Sequence, residues 1–170
     1  MINSSAKRVA YGGLLTAAAL MFSYAESFIP LDAFTGIPGF KLGLANICVM
    51  LAVYYLGTVD GLIIALAKCV LTALLFGTPT SFLFSLGGAV TSFCFLVISK
   101  YLIKDKISFI GVSVGCAALH NVGQVTVCAL VFGDASVLWY LEWLLPLSIV
   151  TGTVTGVAAL VLGRLGEKRL

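Results

Sequence analysis

The sequence predicts an all-α integral membrane protein in which six transmembrane helices form a single domain over residues 1–170. Hydrophobic residues make up 61% of the chain, and the mean hydropathy is +1.13. Only 10% of the residues are charged, whereas a soluble domain carries about 25%. A hydrocarbon core about 30 Å thick needs roughly 20 apolar residues of helix to cross it. The chain therefore has room for about six crossings and little else.

Proline, glycine and charged residues divide the chain into six apolar runs, and each run is predicted as one helix. The first run follows Lys7 and Arg8 and is long enough to span, so we expect a retained helix and not a cleaved signal peptide. A loop rich in Pro and Gly, residues 30–40, precedes the second run, and the other links are short. The predicted helices cover residues 8–29, 41–57, 60–76, 82–99, 107–132 and 137–163.

The basic residues predict the orientation. They cluster before the first helix, between the fourth and fifth, and after the sixth, which places all three clusters on one side of a six-helix protein. By the positive-inside rule that side is cytoplasmic. We therefore expect a multi-pass protein of the cell membrane with both termini in the cytoplasm. Trp139 and Trp143 at the opposite end are predicted interfacial anchors, with ligand contact as the alternative.

Small residues recur at four-residue spacing, which lets helix backbones approach closely in lipid. The pairs are Gly13/Ala17, Gly39/Gly43, Gly111/Gly115 and Gly152/Gly156. The five cysteines are scattered singly, so we interpret them as small packing residues. No metal-ligand spacing, catalytic motif or cofactor motif is visible, and no basic stripe suggests nucleic-acid binding.

Polar residues inside the apolar runs are the candidate functional residues, because each is costly in lipid without a partner or a wet cavity. Lys68 lies near the middle of the third predicted helix. It is either paired with a carboxylate such as Glu26 or Glu142, or it binds an anionic ligand. His120, Asn121 and Gln124 share one face of the fifth helix by their spacing. They either join helices by hydrogen bonds or contact a ligand.

The start of the second helix is a further candidate, because unpaired N–H groups at a helix N-terminus favour an anion. Lys41 and Asn46 lie there, and Lys41 alternatively extends its ammonium to the headgroups. With Glu26, Lys68, Glu142 and the polar face of the fifth helix, these residues predict one small-molecule pocket. We expect it to open outward beneath the long first loop.

Four segments together resemble a known family. They are Glu26-Ser27 followed by Pro30, the stretch Pro38 to Asn46 (PGFKLGLAN), Ser85-Leu86-Gly87-Gly88, and His120-Asn121-Val122-Gly123-Gln124. These segments resemble the Gx transporter family, whose members are commonly labelled heptaprenyl diphosphate synthase component I. That family is similar in turn to the substrate-binding S components of energy-coupling-factor (ECF) transporters, which are six-helix membrane proteins with cytoplasmic termini.

The resemblance implies a subunit that binds a small molecule, of the vitamin, flavin or quinone type, from the outer side. An ATPase-driven membrane module would supply the energy, and this chain has no GxxxxGK[ST] phosphate loop of its own. S components contact that module through small residues of the first helix. Gly13 and Ala17 are the nearest counterpart here, although the family pattern is Ala-x-x-x-Ala.

Two alternatives stay open. The family label implies a membrane component of polyprenyl diphosphate or quinone biosynthesis. Prenyl transfer uses clustered aspartates to hold Mg²⁺, whereas the acids of this chain are isolated, so the sequence supports at most an accessory role in that chemistry. The other alternative is an accessory subunit of a flavin- or quinone-linked membrane redox system.

Overall fold

Helices are the regular secondary structure throughout the described part of the chain, and no strand occurs there. The computed structural model describes residues 5–29, 41, 43–103 and 107–167, with side chains up to residue 163. A π-helical turn, Ser99–Ile103, continues the fourth helix, and a 3₁₀ segment, Ala135–Tyr140, precedes the sixth. The main helices are α1 (Ser5–Glu26), α2 (Asn46–Tyr55), α3 (Thr58–Phe76), α4 (Pro79–Ile98), α5 (Phe109–Phe132) and α6 (Leu141–Glu167).

The short helix α2 forms the centre of the bundle. Every residue from Ile47 to Val53 is buried. A helix that is apolar on all sides is stable only when other elements cover it. Here α1, α3 and α6 pack around it. The main hydrophobic core is accordingly built on α2, with contributions such as Ile64 of α3 and Ala159 of α6.

Helix α5 lies between α4 and α6, and glycines bring these backbones close together. A Cβ built on Gly152 or Gly156 would meet backbone atoms of α5 at 2.5 and 3.0 Å. Close packing was predicted for this pair, and the structure confirms it. Gly115 faces the ring of Phe95 instead, and Gly13 has no atom within 4 Å of its Cβ position. Gly39 lies outside the described residues.

Four segments are long and apolar enough to cross a membrane: Thr58–Phe76, Pro79–Leu102, Phe109–Phe132 and Ala135–Gly163. Their outward faces are apolar, as in Leu74 and Leu130, which are each 76% exposed. The chain is therefore an all-α, multi-pass membrane protein. The six predicted spans include α1 and α2, which are not among these four, and α2 has only ten residues. Six spans and the cytoplasmic position of the termini stay predictions.

Three contacts gather the predicted cytoplasmic elements at one end of the bundle. Arg8 of α1 forms an ion pair with Asp60 of α3, with Nη2 and Oδ2 2.6 Å apart. The hydroxyls of Thr58 and Tyr101 are 2.9 Å apart. Tyr55 lies against Gly163 near the end of α6. The start of α1, the α2–α3 turn, the π-helical turn and the end of α6 therefore share one end.

Two helix starts differ from the prediction by more than three residues. The second helix was expected from residue 41, but α2 begins at Asn46, because Gly43 has a φ of +83° that a helix does not allow. The sixth was expected from residue 137, but α6 begins at Leu141, after the 3₁₀ segment. Asp134 caps that segment by accepting hydrogen bonds from the Ser136 side chain and backbone. These bonds hold the pKa of the Asp134 carboxyl below its ordinary value.

Candidate functional site

Polar side chains from four helices and from the residues before α2 enclose a small cavity, which we call the polar chamber. Its volume, measured for the centre of a water-sized sphere, is about 10 Å³, which is enough for roughly one water molecule. The chamber lies level with Lys68 and His120, near the middles of α3 and α5. Its lining residues are Ser23, Glu26, Lys41, Gly43, Lys68, Cys69, Thr72, Ser85 and His120.

Lys68 has an amide partner and not a carboxylate. Its ammonium donates to Oδ1 of Asn46 at 2.9 Å. Within the described part of the chain, the ion pair of Arg8 with Asp60 is the one that forms, so neither Glu26 nor Glu142 is within 4 Å of the Lys68 nitrogen. The Lys68 side chain is nevertheless only 5% exposed. Among the described residues, the hydrogen bond of this buried ammonium is thus to a neutral group.

Glu26 holds the irregular backbone that leads into α2. This last residue of α1 is buried, and its carboxylate accepts a hydrogen bond from the backbone N–H of Leu44. Non-helical backbone at membrane depth is tolerated only where it is buried in protein or lines a cavity. The N-terminal end of α2 also favours a negative charge. Glu26 therefore supplies an internal anion at a helix start inside the bundle.

Gln124 fixes the backbone of Lys41. Its Oε1 accepts from the Lys41 N–H at 3.2 Å, and its Nε2 donates to the Lys41 carbonyl at 2.8 Å. This pair of bonds imitates the pairing of two strands, and the Gln124 side chain is fully buried. The amide therefore places Lys41 beside the chamber. Because both ends of the amide are already bonded, its role here is positioning.

His120 closes one wall of the chamber by packing between two glycines. A Cβ on Gly43 would lie 3.1 Å from its Cδ2, and one on Gly88 would lie 2.7 Å from its Cε1 and Nδ1. The ring is 2% exposed. Its Nδ1 faces the Gly88 backbone without forming a hydrogen bond to any described residue. The two glycines thus make room for an imidazole in the interior of the bundle.

The hydroxyls of Thr72 and Ser85 also line the chamber, and sequence reasoning missed both. Each is buried, and neither oxygen has a hydrogen-bond partner within the described residues. Buried polar atoms normally have a partner in the protein or in ordered water. The sequence spacing could have indicated Thr72, because it lies one turn after Lys68 and therefore on the same helix face. Ser23 likewise lies one turn before Glu26 on the same helix face.

Asn121 and Glu142 do not line the chamber. Asn121 donates from Nδ2 to the carbonyl of Leu144 at 3.1 Å and so joins α5 to α6, which is the interhelical alternative given for it above. Glu142 is exposed in the first turn of α6. The structure therefore gathers Glu26, Lys41, Lys68 and His120 around one space. Asn46 and Gln124 lie outside its lining, bonded to Lys68 and to the Lys41 backbone.

The chamber offers ammonium and hydroxyl donors, an imidazole and one carboxylate. No group of three His, Cys, Asp or Glu residues in the described ranges is arranged to hold a metal ion. The five cysteines are free thiols, and four of them are buried as small packing residues. The arrangement is suited to binding a small polar group away from water.

The comparisons with known proteins give one match. The family described as heptaprenyl diphosphate synthase component I matches residues 15–162, which is most of the chain. No curated protein and no solved structure matches it. The resemblance to S components of ECF transporters stays a prediction. On the extent of the family match, the chain belongs to the heptaprenyl diphosphate synthase component I family.

Proposed function

We propose that the chain is the substrate-binding membrane subunit of a small-molecule uptake transporter. The polar chamber carries the proposal, because buried polar groups in a membrane protein mark ligand or ion pathways by default. Two chamber hydroxyls have no partner in the described part of the chain, as expected where a ligand or water completes the hydrogen bonds.

The broken approach to α2 supports the same function. Transporters commonly bind substrate where a membrane helix is interrupted, with the N-terminus of the half-helix directed at an anionic group. Here α2 begins deep in the bundle, and the Glu26 carboxylate already bonds to Leu44 at its start. The irregular segment from Gly43 to Ala45 lies beside the chamber.

The test is ligand-induced stabilisation of the purified protein. A ligand that binds only the native state raises the free energy of unfolding by RT ln(1 + [L]/Kd), which is about 2.7 kcal/mol at a hundredfold excess over Kd. We expect one compound from a panel of vitamins, flavins and quinone precursors to raise the unfolding temperature. Lys68→Ala should remove that rise, whereas Lys100→Ala, outside the chamber, should keep it. No response to any compound of the panel would contradict the proposal.

A partner-docking surface on α1 fits this function. A Cβ built on Gly13 would meet no atom of another described element within 4 Å, and Ala17 is exposed one turn further along the helix. We infer that this face meets the energising membrane module. Ala17→Trp should abolish co-purification with such a module while leaving the ligand-induced rise in unfolding temperature unchanged. Loss of both together would indicate misfolding and not a lost docking surface.

The family description favours a second candidate, a membrane component of polyprenyl diphosphate synthesis. In this role the chain would assist a separate synthase subunit. Product formation from allylic and isopentenyl diphosphates should then increase when the membrane-embedded chain is added to that subunit. An unchanged rate with the chain present would rule this candidate out.

A further inference from the structure

The charges that line the polar chamber do not balance. Counted at their ordinary protonation states, the described lining residues Lys41 and Lys68 carry two positive charges and Glu26 one negative charge. Neither lysine is within 4 Å of the Glu26 carboxylate, so no direct ion pair neutralises them. A buried charge is costly unless it is paired and hydrogen-bonded. The chamber therefore has one more cation than anion in a region where a surplus charge is expensive.

The charge preference at the N-terminal end of α2 does not explain the surplus positive charge. The partial positive charge at its N-terminal end favours an anion, and Glu26 supplies one at Leu44. The same end disfavours cations, yet Lys68 bonds to Asn46, the first residue of α2. Two lysines beside a positive helix end increase the electrostatic cost. A second negative group would lower it.

The two unpartnered hydroxyls also indicate an anionic ligand. Thr72 and Ser85 are each at least nine-tenths buried, line the chamber, and have no partner in the described ranges. A hydroxyl donates readily to an anion, and such charge-assisted bonds are about twice as strong as neutral ones. Space for about one water limits the ligand to a single halide ion or to one oxygen of a carboxylate.

We propose that the polar chamber binds one monovalent anionic group, either a halide ion or the carboxylate of an organic ligand, between Lys68 and the hydroxyls of Thr72 and Ser85. As a statement about the transported substrate, it rests on the function proposed above. The substrate class is then that of small monocarboxylates, with the carboxylate in the chamber.

The experiment follows the unfolding temperature of the full-length protein in detergent, in sodium gluconate at constant ionic strength. Gluconate is replaced stepwise by bromide in one arm and by formate in the other. We expect a saturable rise in unfolding temperature in at least one arm. Saturation by bromide identifies a halide site, and saturation by formate alone identifies a carboxylate site. A linear response, or none in either arm, would overturn the proposal.

Two variants should move the anion response in opposite directions. Lys68→Met removes the surplus charge and should abolish saturation. Glu26→Gln removes the internal anion and should lower the half-saturating concentration at least tenfold. Lys100→Met, which removes an equal charge elsewhere, should leave the response unchanged. If Glu26→Gln weakens the response as Lys68→Met does, the charge argument is wrong.

Crystals of the unmodified protein grown in bromide keep the proposal testable if either variant fails to fold. An anomalous peak beside Lys68 is expected, and peaks confined to the protein surface would overturn the bromide assignment.

Failure of the anion proposal can be distinguished from failure of the proposed uptake function. If a panel compound binds but neither bromide nor formate competes with it, the anion assignment fails and uptake stands. If an anion saturates the chamber and no panel compound competes with it, the uptake function fails and the anion assignment stands.

Discussion

The two ends of α2 are satisfied in different ways. At the C-terminal end, the Lys100 ammonium donates to the carbonyl of Val53 at 2.6 Å and lies 5.7 Å from the ring centres of Tyr54 and Tyr101. Gly57 would bond that carbonyl in a continuing helix, but it donates to Ala52 instead. One cation therefore meets one free carbonyl at the negative end of a helix dipole.

At the N-terminal end, the charged groups and the hydrogen-bonding groups are not all paired. Glu26 meets the helix start, but two lysines and two unpartnered hydroxyls lie around it. A half-buried lysine is thus structural at one end of α2, and a buried lysine is a candidate ligand-binding group at the other. The difference lies in what surrounds each ammonium, and four predictions test it.

The largest effect is expected where the chamber depends on backbone geometry. Gly43→Ala places a side chain at φ +83°, with its Cβ 3.1 Å from both Asn46 and His120. The backbone conformation costs about 1–2 kcal/mol and the crowding about 1–3 kcal/mol, so the free energy of unfolding should fall by about 3 kcal/mol. Denaturant titration in detergent measures this change.

Gly133→Ala is the matched control for that variant. Gly133 has a similar φ of +67°, but its Cβ position is open. It should lose only the backbone contribution, about 1–2 kcal/mol. Equal losses at the two positions would mean that contact with His120 and Asn46 contributes nothing.

The next largest effect is expected at the two hydrogen bonds between the Gln124 amide and the Lys41 backbone. Gln124→Ala removes two hydrogen bonds and leaves two backbone groups of Lys41 without that partner. We expect a loss of about 2 kcal/mol in the free energy of unfolding, together with weaker anion saturation of the chamber. Asn121→Ala, which removes one bond to α6, is the control and should leave anion saturation intact. Equal anion responses in the two variants would argue against a positioning role for Gln124.

The lysines at the two ends of α2, Lys68 and Lys100, should then differ in their contribution to stability. Lys100→Met leaves the Val53 carbonyl unpaired and should lower the free energy of unfolding by about 1–2 kcal/mol. Lys68→Met should cost less than about 1 kcal/mol in gluconate, because it also removes an uncompensated buried charge. The reverse order would show that Lys68 is the structural lysine.

The smallest effect is expected at the exposed ion pair. Arg8 and Asp60 side chains are 45% and 25% exposed, so Arg8→Ala should change the free energy of unfolding by about 1 kcal/mol or less. The difference from the unmodified protein should shrink further in high salt, because dissolved ions screen exposed ion pairs. A larger loss that salt does not affect would place this pair among the structural contacts.

The sequence predicted the helices better than it predicted the chamber. Apolar runs bounded by Gly, Pro and charge locate helices well, because membrane depth dictates their length. The start of α2 was wrong, since the PGFKLGLAN segment reads as part of an apolar run until the φ of Gly43 is known. Chamber residues on the right helix faces were recognised by their polarity. The partner of each was not, because Lys68–Asn46 and Gln124–Lys41 depend on how helices cross.

The brevity of α2 also constrains how the protein is made. Ten residues give a helix about 15 Å long, half the thickness of the hydrocarbon layer, so this segment is too short to cross on its own. The carbonyl of its Val53 accepts a hydrogen bond from a lysine 47 positions later in the chain. During synthesis this hydrogen bond at the C-terminal end of α2 can therefore form only after the fourth helix has been made.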